Sequence, residues 1–270
     1  MKKLQNIDKS KLPLNINSRV FQVLFFVLFI GLWTFVVEKG IIKKFILPSP
    51  VDIVITFLRI LPDIKWHLLT TLEEAFIGFV VAIFFSVILA LLMDNIKGLK
   101  KVFYPYLVVS QTIPIIALAP LFVIWFGFGQ FPKILVVVLV CFFPIVINLI
   151  DGLSSVDDEM ISLLKSMGAS KLQIFKLLKF PASMVNFFSG LRIAATYSIM
   201  GAVIGEWLGG EKGLGVYMIR VKHSFALDKV FAVILIVVVL SLLQFKIISI
   251  IQKILMPWNW HEDINKKEII

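Results

Sequence analysis

The sequence predicts an all-α, polytopic membrane protein with six transmembrane helices, and three observations lead there. Apolar residues make up 59% of the 270, with 25 Phe, against roughly 45 to 50% in a soluble domain, which is more than one globular core buries. Charged residues are only 16%. Six apolar segments, residues 20–37, 75–93, 102–125, 134–150, 189–208 and 230–250, reach or approach the roughly 17 to 25 helical residues that cross a hydrocarbon layer.

Taken in order, residues 1–19 form a polar tail whose Lys residues serve as topology anchors. The first apolar run is expected to stay as a span, because Val36, Val37 and Glu38 make no small-residue cleavage site. It belongs with an outer segment to residue 65, where Pro48 and Pro50 impose an extended entry and Val51 to Leu61 carries an amphipathic period. That segment reads as a short helix lying along the membrane surface. Glu73 and Glu74 stand where the second span begins and read as charges near its start. Leu99 to Tyr104, after the second span, read as a short basic cytoplasmic turn.

Lys and Arg fix the expected orientation. With both ends in the cytoplasm, five lie inside in residues 1–19, three in 94–103, five in 151–192 and four beyond 245, against ten outside. A net charge of +10 distributed in this way borders lipid and calls for no nucleic acid. The lone Cys141 sits mid-span and reads as a small buried hydrophobe. His67, His223 and His261 lack paired-ligand spacing, so no metal site is expected, and each reads as a solvated loop residue.

The loop between the fourth and fifth spans is too long for a connector and too patterned for disorder. Asp157, Asp158 and Glu159 favour a helix start, Gly168 ends that helix, and Ser170 with Gln173 has the spacing of a capping box opening a second. Leu172, Phe175, Leu178 and Pro181 follow, giving a charged hairpin over residues 157–181. Its apolar stripe suits either the headgroup layer or a partner's groove.

This hairpin resembles the coupling motif of ABC importer permeases, which runs Glu-Ala-Ala, three residues, Gly, nine residues, Ile-x-Leu-Pro. Gly168 matches the Gly, and Leu178, Phe180 and Pro181 stand at the Ile, Leu and Pro places; Ser162 replaces the Glu, and Leu163 and Leu164 the Ala pair. Residues 110–129 (SQTIPIIALAPLFVIWFGFG) and 190–215 (GLRIAATYSIMGAVIGEWLGGEKGLG) are similar to spans of the branch that imports nitrate, sulfonates, taurine and thiamine precursors. The wording GAVIGEWLGG favours the pyrimidine thiamine-precursor permeases within it. The resemblance implies the type I importer transmembrane fold over residues 66–255, with residues 256–270 as a cytoplasmic tail, in a bacterial inner membrane.

It further implies a homodimer that forms the pathway, two cytoplasmic ATPase subunits and an extracytoplasmic solute-binding protein. On this reading Ser162, Leu163, Leu164, Lys165, Gly168, Ala169, Ser170, Phe175 and Pro181 carry ATPase coupling. The chain itself has no phosphate-binding loop, so no enzyme activity and no cofactor are expected of it.

Polar residues inside spans offer pathway candidates: Ser110, Gln111 and Thr112 beside the helix-loosening Pro114, then Thr196, Ser198 and Glu206. Each of the span residues equally suits interhelical packing within one protomer. Glu206 fits a gate or selectivity residue, or one snorkelling to water. An ATP-independent secondary transporter or channel is the rival class; it favours ionisable residues near span centres and inverted repeats, and the sequence displays neither. A membrane-embedded enzyme lacks a visible nucleophile, base or metal set.

Overall fold

The structure is a computed structural model that describes residues 18–257. Ten α-helices follow in order: α1 (Ser18–Glu38), α2 (Pro50–Asn95), α3 (Lys97–Ser110), α4 (Ile115–Phe126), α5 (Gln130–Ser154), α6 (Asp158–Ser166), α7 (Lys171–Ile174), α8 (Phe180–Glu206), α9 (Leu214–His223) and α10 (Leu227–Leu255). A π-helical turn, Phe175–Lys179, joins α7 to α8. The terminal tails and His261 lie outside the described residues.

The core is built from α2, α5, α8 and α10. Ala75, Ala82, Val137, Cys141, Ile145, Ala194, Ile199 and Ala202 are buried together there. Small side chains on α2 and α8 let the helix backbones come close, which is how helices associate where lipid removes most of the hydrophobic drive. Cys141 behaves as expected of a small buried hydrophobe, its thiol donating to the Ala194 carbonyl at 3.3 Å. The outward faces of α1, α2 and α10 remain rich in exposed Phe, Leu, Ile and Val, as lipid-facing surfaces must.

Among the described residues five helices are long and apolar enough to cross a membrane, and the bent pair α3 and α4 passes the same test when taken as one span. Its path settles that. The α2 helix ends beside the hairpin, where Lys179 meets Asp94 at 2.6 Å. The α5 helix begins at the opposite end, where Lys133 lies against the C-terminal turn of α8 near Gly205. Residues 97–126 therefore travel from one end of the bundle to the other as a broken span. Trp33 of α1 packs on Phe231 at the start of α10; Val203 near the end of α8 clusters with Ala232 and Val233 of early α10 while Arg192 of early α8 lies over Phe245, so α10 runs back antiparallel to α8. Residues 18 and 255 consequently stand on the hairpin side.

Three expectations change. Residues 51–61 are not a separate surface helix: α2 runs unbroken for 46 residues through Pro62. Thr56, Ile60 and Ile64 are buried, the last two against Leu214, Val233 and Ile236, and the Thr56 hydroxyl donates to Asp228 at 3.2 Å, so tertiary packing carries the helix past the proline. The third span is not one rod but bends by 99° between Ser110 and Ile115. Pro114, extended at ψ 115°, caps α4 and has no amide N–H to continue α3. Pro181 does not end the hairpin, because the chain stays helical from Lys171 to Glu206. The π turn absorbs the register change, the Phe180 N–H bonding to the Phe175 carbonyl, so the proline falls in the first turn of α8, where a missing donor is tolerated.

Candidate functional site

Two polar constructions stand out, one at each end of the bundle. The first is the hairpin of α6 and α7. Asp158 and Glu159 occupy the first turn of α6, aligned with its dipole. Gly168 then adopts φ +83°. The Gly168 N–H bonds to the Lys165 carbonyl at 2.9 Å and the Ala169 N–H to the Leu164 carbonyl at 3.0 Å. This pair of bonds is a Schellman motif, whose left-handed residue is strained for anything carrying a branched Cβ. The Ser170 hydroxyl accepts from the Gln173 N–H at 3.3 Å, and the Gln173 side chain accepts from the Ser170 N–H at 2.7 Å. The expected capping box is present.

No residue of α6 is buried. Ser162, Lys165, Gly168 and Ser170 are exposed, as are the apolar Leu163, Met167 and Leu172, while Leu164 and Ala169 are half-buried. Phe175 and Pro181 are half-buried. Phe175 packs on the cluster of Ala90, Met93, Val146, Leu149 and Ile150 at the ends of α2 and α5, and the Lys179 ammonium reaches Asp94 at the end of α2. The hairpin therefore offers an exposed face outward and is tied by its base to two spans.

The second construction, at the opposite end, involves residues that the sequence reading placed elsewhere. Glu74 is fully buried and takes an ion pair from Lys133 of α5 at 2.8 Å. Glu74 stands mid-helix in the 46-residue α2, at the end of the bundle where α5 begins, and nothing local in the sequence marks Lys133 as its partner. Glu206 is 1% exposed, so it does not snorkel. One of its oxygens accepts from the Thr71 hydroxyl and the other from the Gly215 N–H, both at 2.6 Å. The Thr71 oxygen accepts from the Leu214 N–H at 2.9 Å, and Nδ1 of His67 accepts from the Gly213 N–H at 3.0 Å.

Together these cap α9 from outside its own helix. Gly213, Leu214 and Gly215 present the amides that no intrahelical carbonyl can satisfy, and α2 and α8 supply the acceptors, with the Glu206 carboxylate at the positive end of the α9 dipole. Gly213 has to be glycine: its φ is +129°, and a Cβ there would overlap the Glu206 carboxyl. His67 is thus half-buried and bonded, not a solvated loop residue. Among the described residues no cluster of His, Cys, Asp and Glu is arranged to hold a metal.

The remaining pathway candidates separate. Gln111, Thr112 and Pro114 are exposed at the break between α3 and α4, with Ser110 half-buried beside them. Thr196 turns its hydroxyl to the Ile193 carbonyl at 2.7 Å. Ser198 is fully buried and donates to Gln244 at 2.8 Å.

Comparison with known proteins agrees with this architecture. The description "Binding-protein-dependent transport system inner membrane component" matches residues 82–259. The chain is 40% identical over 236 residues to the formylaminopyrimidine transport permease protein of Halalkalibacterium halodurans, covering 87% of this chain and 94% of that one. It is 30% identical to the riboflavin transport system permease protein of Chloroflexus aurantiacus, covering 79% and 81%. It is 26% identical to the taurine transport system permease protein of Escherichia coli, covering 84% and 85%. The chain belongs to the binding-protein-dependent transport system inner membrane component family, the multi-pass permeases of ABC transporters with the type I importer membrane fold.

Proposed function

We propose that this chain is the pathway subunit of an ATP-driven importer that takes a small pyrimidine thiamine precursor from an extracytoplasmic binding protein. The observation that carries the reading is the hairpin, whose exposed, doubly capped helices are tied to the spans only at their base. A rigid projection of that kind suits insertion into a groove on a separate ATPase subunit. A push on α6 and α7 passes along the continuous helix into α8, through Phe175 to α5, and through Lys179 to α2. Two ATPase subunits and two copies of this chain complete the assembly, and the solute assignment leans on the relative named for formylaminopyrimidine.

Uptake of radiolabelled formylaminopyrimidine into proteoliposomes is expected to require this chain, its ATPase and its binding protein together. An ATPase unable to hydrolyse ATP should reduce uptake to background. Flux driven by a proton or sodium gradient through this chain alone would instead favour a secondary transporter.

The orientation proposed puts the hairpin in the cytoplasm. Single cysteines in a Cys141→Ala background, probed in intact cells with an impermeant thiol reagent, should react at Lys39 and Lys212 and stay unreactive at Lys171. Labelling at Lys171 from outside would reverse the assignment.

A further inference from the structure

A cavity of about 410 Å³ opens at the end of the bundle opposite the hairpin, beside the polar cap of α9, bounded by Phe128, Gln130, Lys133, Gly210, Glu211 and Lys212. Its volume falls in the roughly 300 to 1,000 Å³ range of small-molecule sites.

What marks it as built for a ligand is Lys133. The side chain is 5% exposed, and an ammonium carries three donors. Among the described residues its one hydrogen-bond partner is Glu74. The Nζ atom borders the cavity, since a Cβ on Gly210 would stand 3.1 Å from it. Donors of a buried ammonium are therefore presented to the cavity. The N-terminus of the 25-residue α5 also lies at this wall, and its cap residue Gly129 offers no side chain to the first-turn amides. Both features attract an acceptor oxygen. Glu74 already neutralises Lys133, and Glu211 sits beside Lys212 on the rim, so a full anion is not demanded.

Phe128 supplies the apolar half. The Cδ1–Cε1 edge of its ring meets Gly209, where a Cβ would come 2.6 and 2.8 Å from those two atoms, yet the side chain is 82% exposed. A ring anchored along one edge, with most of its surface open, is a stacking platform for a planar ring.

We propose that this cavity is a subsite for the imported solute, receiving a planar ring that bears an acceptor oxygen, the oxygen on the Lys133 ammonium and the ring on Phe128. The proposal rests on the import function argued above and gives its solute a place on this chain.

The test uses the full chain with its ATPase and binding protein in lipid nanodiscs, with import of formylaminopyrimidine and of taurine measured separately in proteoliposomes. Gln130→Cys, placed on the exposed rim in a Cys141→Ala background, is reacted with a maleimide. Saturating formylaminopyrimidine should slow that reaction about threefold or more and leave Lys39→Cys unaffected. Phe128→Ala, a change at an exposed side chain, should raise the concentration for half-protection about three- to tenfold while membrane abundance stays constant. Unchanged labelling in a complex that imports the pyrimidine, or an unchanged midpoint in Phe128→Ala, overturns the subsite and leaves the import reading standing. Protection by taurine and not by the pyrimidine overturns the ring-bearing class. Import of neither solute by the wild-type complex removes the solute reading and this proposal with it.

Discussion

Replacing Lys133 with Met is expected to destabilise the protein more than any other single change considered, by about 3 to 5 kcal/mol. Glu74 is fully buried, and Lys133 is its ion-pair partner at 2.8 Å. Without the ammonium a carboxylate remains in a low-dielectric interior with no counter-charge. The double variant Glu74→Leu with Lys133→Met removes both charges and should recover most of the loss, because two apolar side chains of similar volume carry no desolvation penalty. Thermal unfolding of purified protein in detergent, together with membrane abundance, measures both. A Lys133→Met protein that melts like wild type would show that the pair contributes little to holding α2 against α5. A double variant no better than the single would place the loss in packing and not in charge.

What could be read from the sequence was what is encoded locally. The Schellman turn at Gly168 and the capping box of Ser170 and Gln173 depend on residues within six positions of each other, so composition and spacing predict them. The six crossings follow from hydropathy for the same reason. The burial of Glu74 is not legible because Glu73 and Glu74 look alike in sequence, while adjacent residues on a helix point about 100° apart and only Glu74 turns toward a lysine 59 positions away. His67 and Thr71 were missed likewise, for they serve the amides of residues 213 and 214, more than 140 positions on. Local signal was present in part: the glycines at 213 and 215 were visible in the GGEKGLG wording, and glycine pairs of that kind mark close approach. Pro114 and Pro120 both fall within residues 110–129, yet only the first breaks the span, whereas Ala119 and Phe122 hold the second inside α4 by packing on Val136 and Ile204. Pro62 and Pro181 remain within helices because neighbouring contacts and a π turn accommodate them.

Gly168→Val is expected to leave the spans inserted and to abolish coupling. The backbone there sits at φ +83°, and a Cβ would meet nothing within 4 Å, so the harm comes from conformation and not from a clash. A branched side chain in the left-handed region costs about 1 to 2 kcal/mol. Because α6 buries no residue, little packing opposes release of that strain, and the Schellman bonds from residues 168 and 169 should open. ATPase co-purification and solute uptake should then fall together at wild-type membrane abundance. Gly168→Asn separates strain from loss of the glycine itself, since Asn tolerates φ > 0 and should retain most of both activities. Lys171→Gln, a nearby exposed change, serves as the control. If Gly168→Val binds the ATPase and imports normally, the hairpin is not the coupling element, and the line of force from α6 through Phe175 and Lys179 into the spans has no driver. If Asn fails as badly as Val, the left-handed turn is not what matters, and the exposed surface around residue 168 must itself touch the partner.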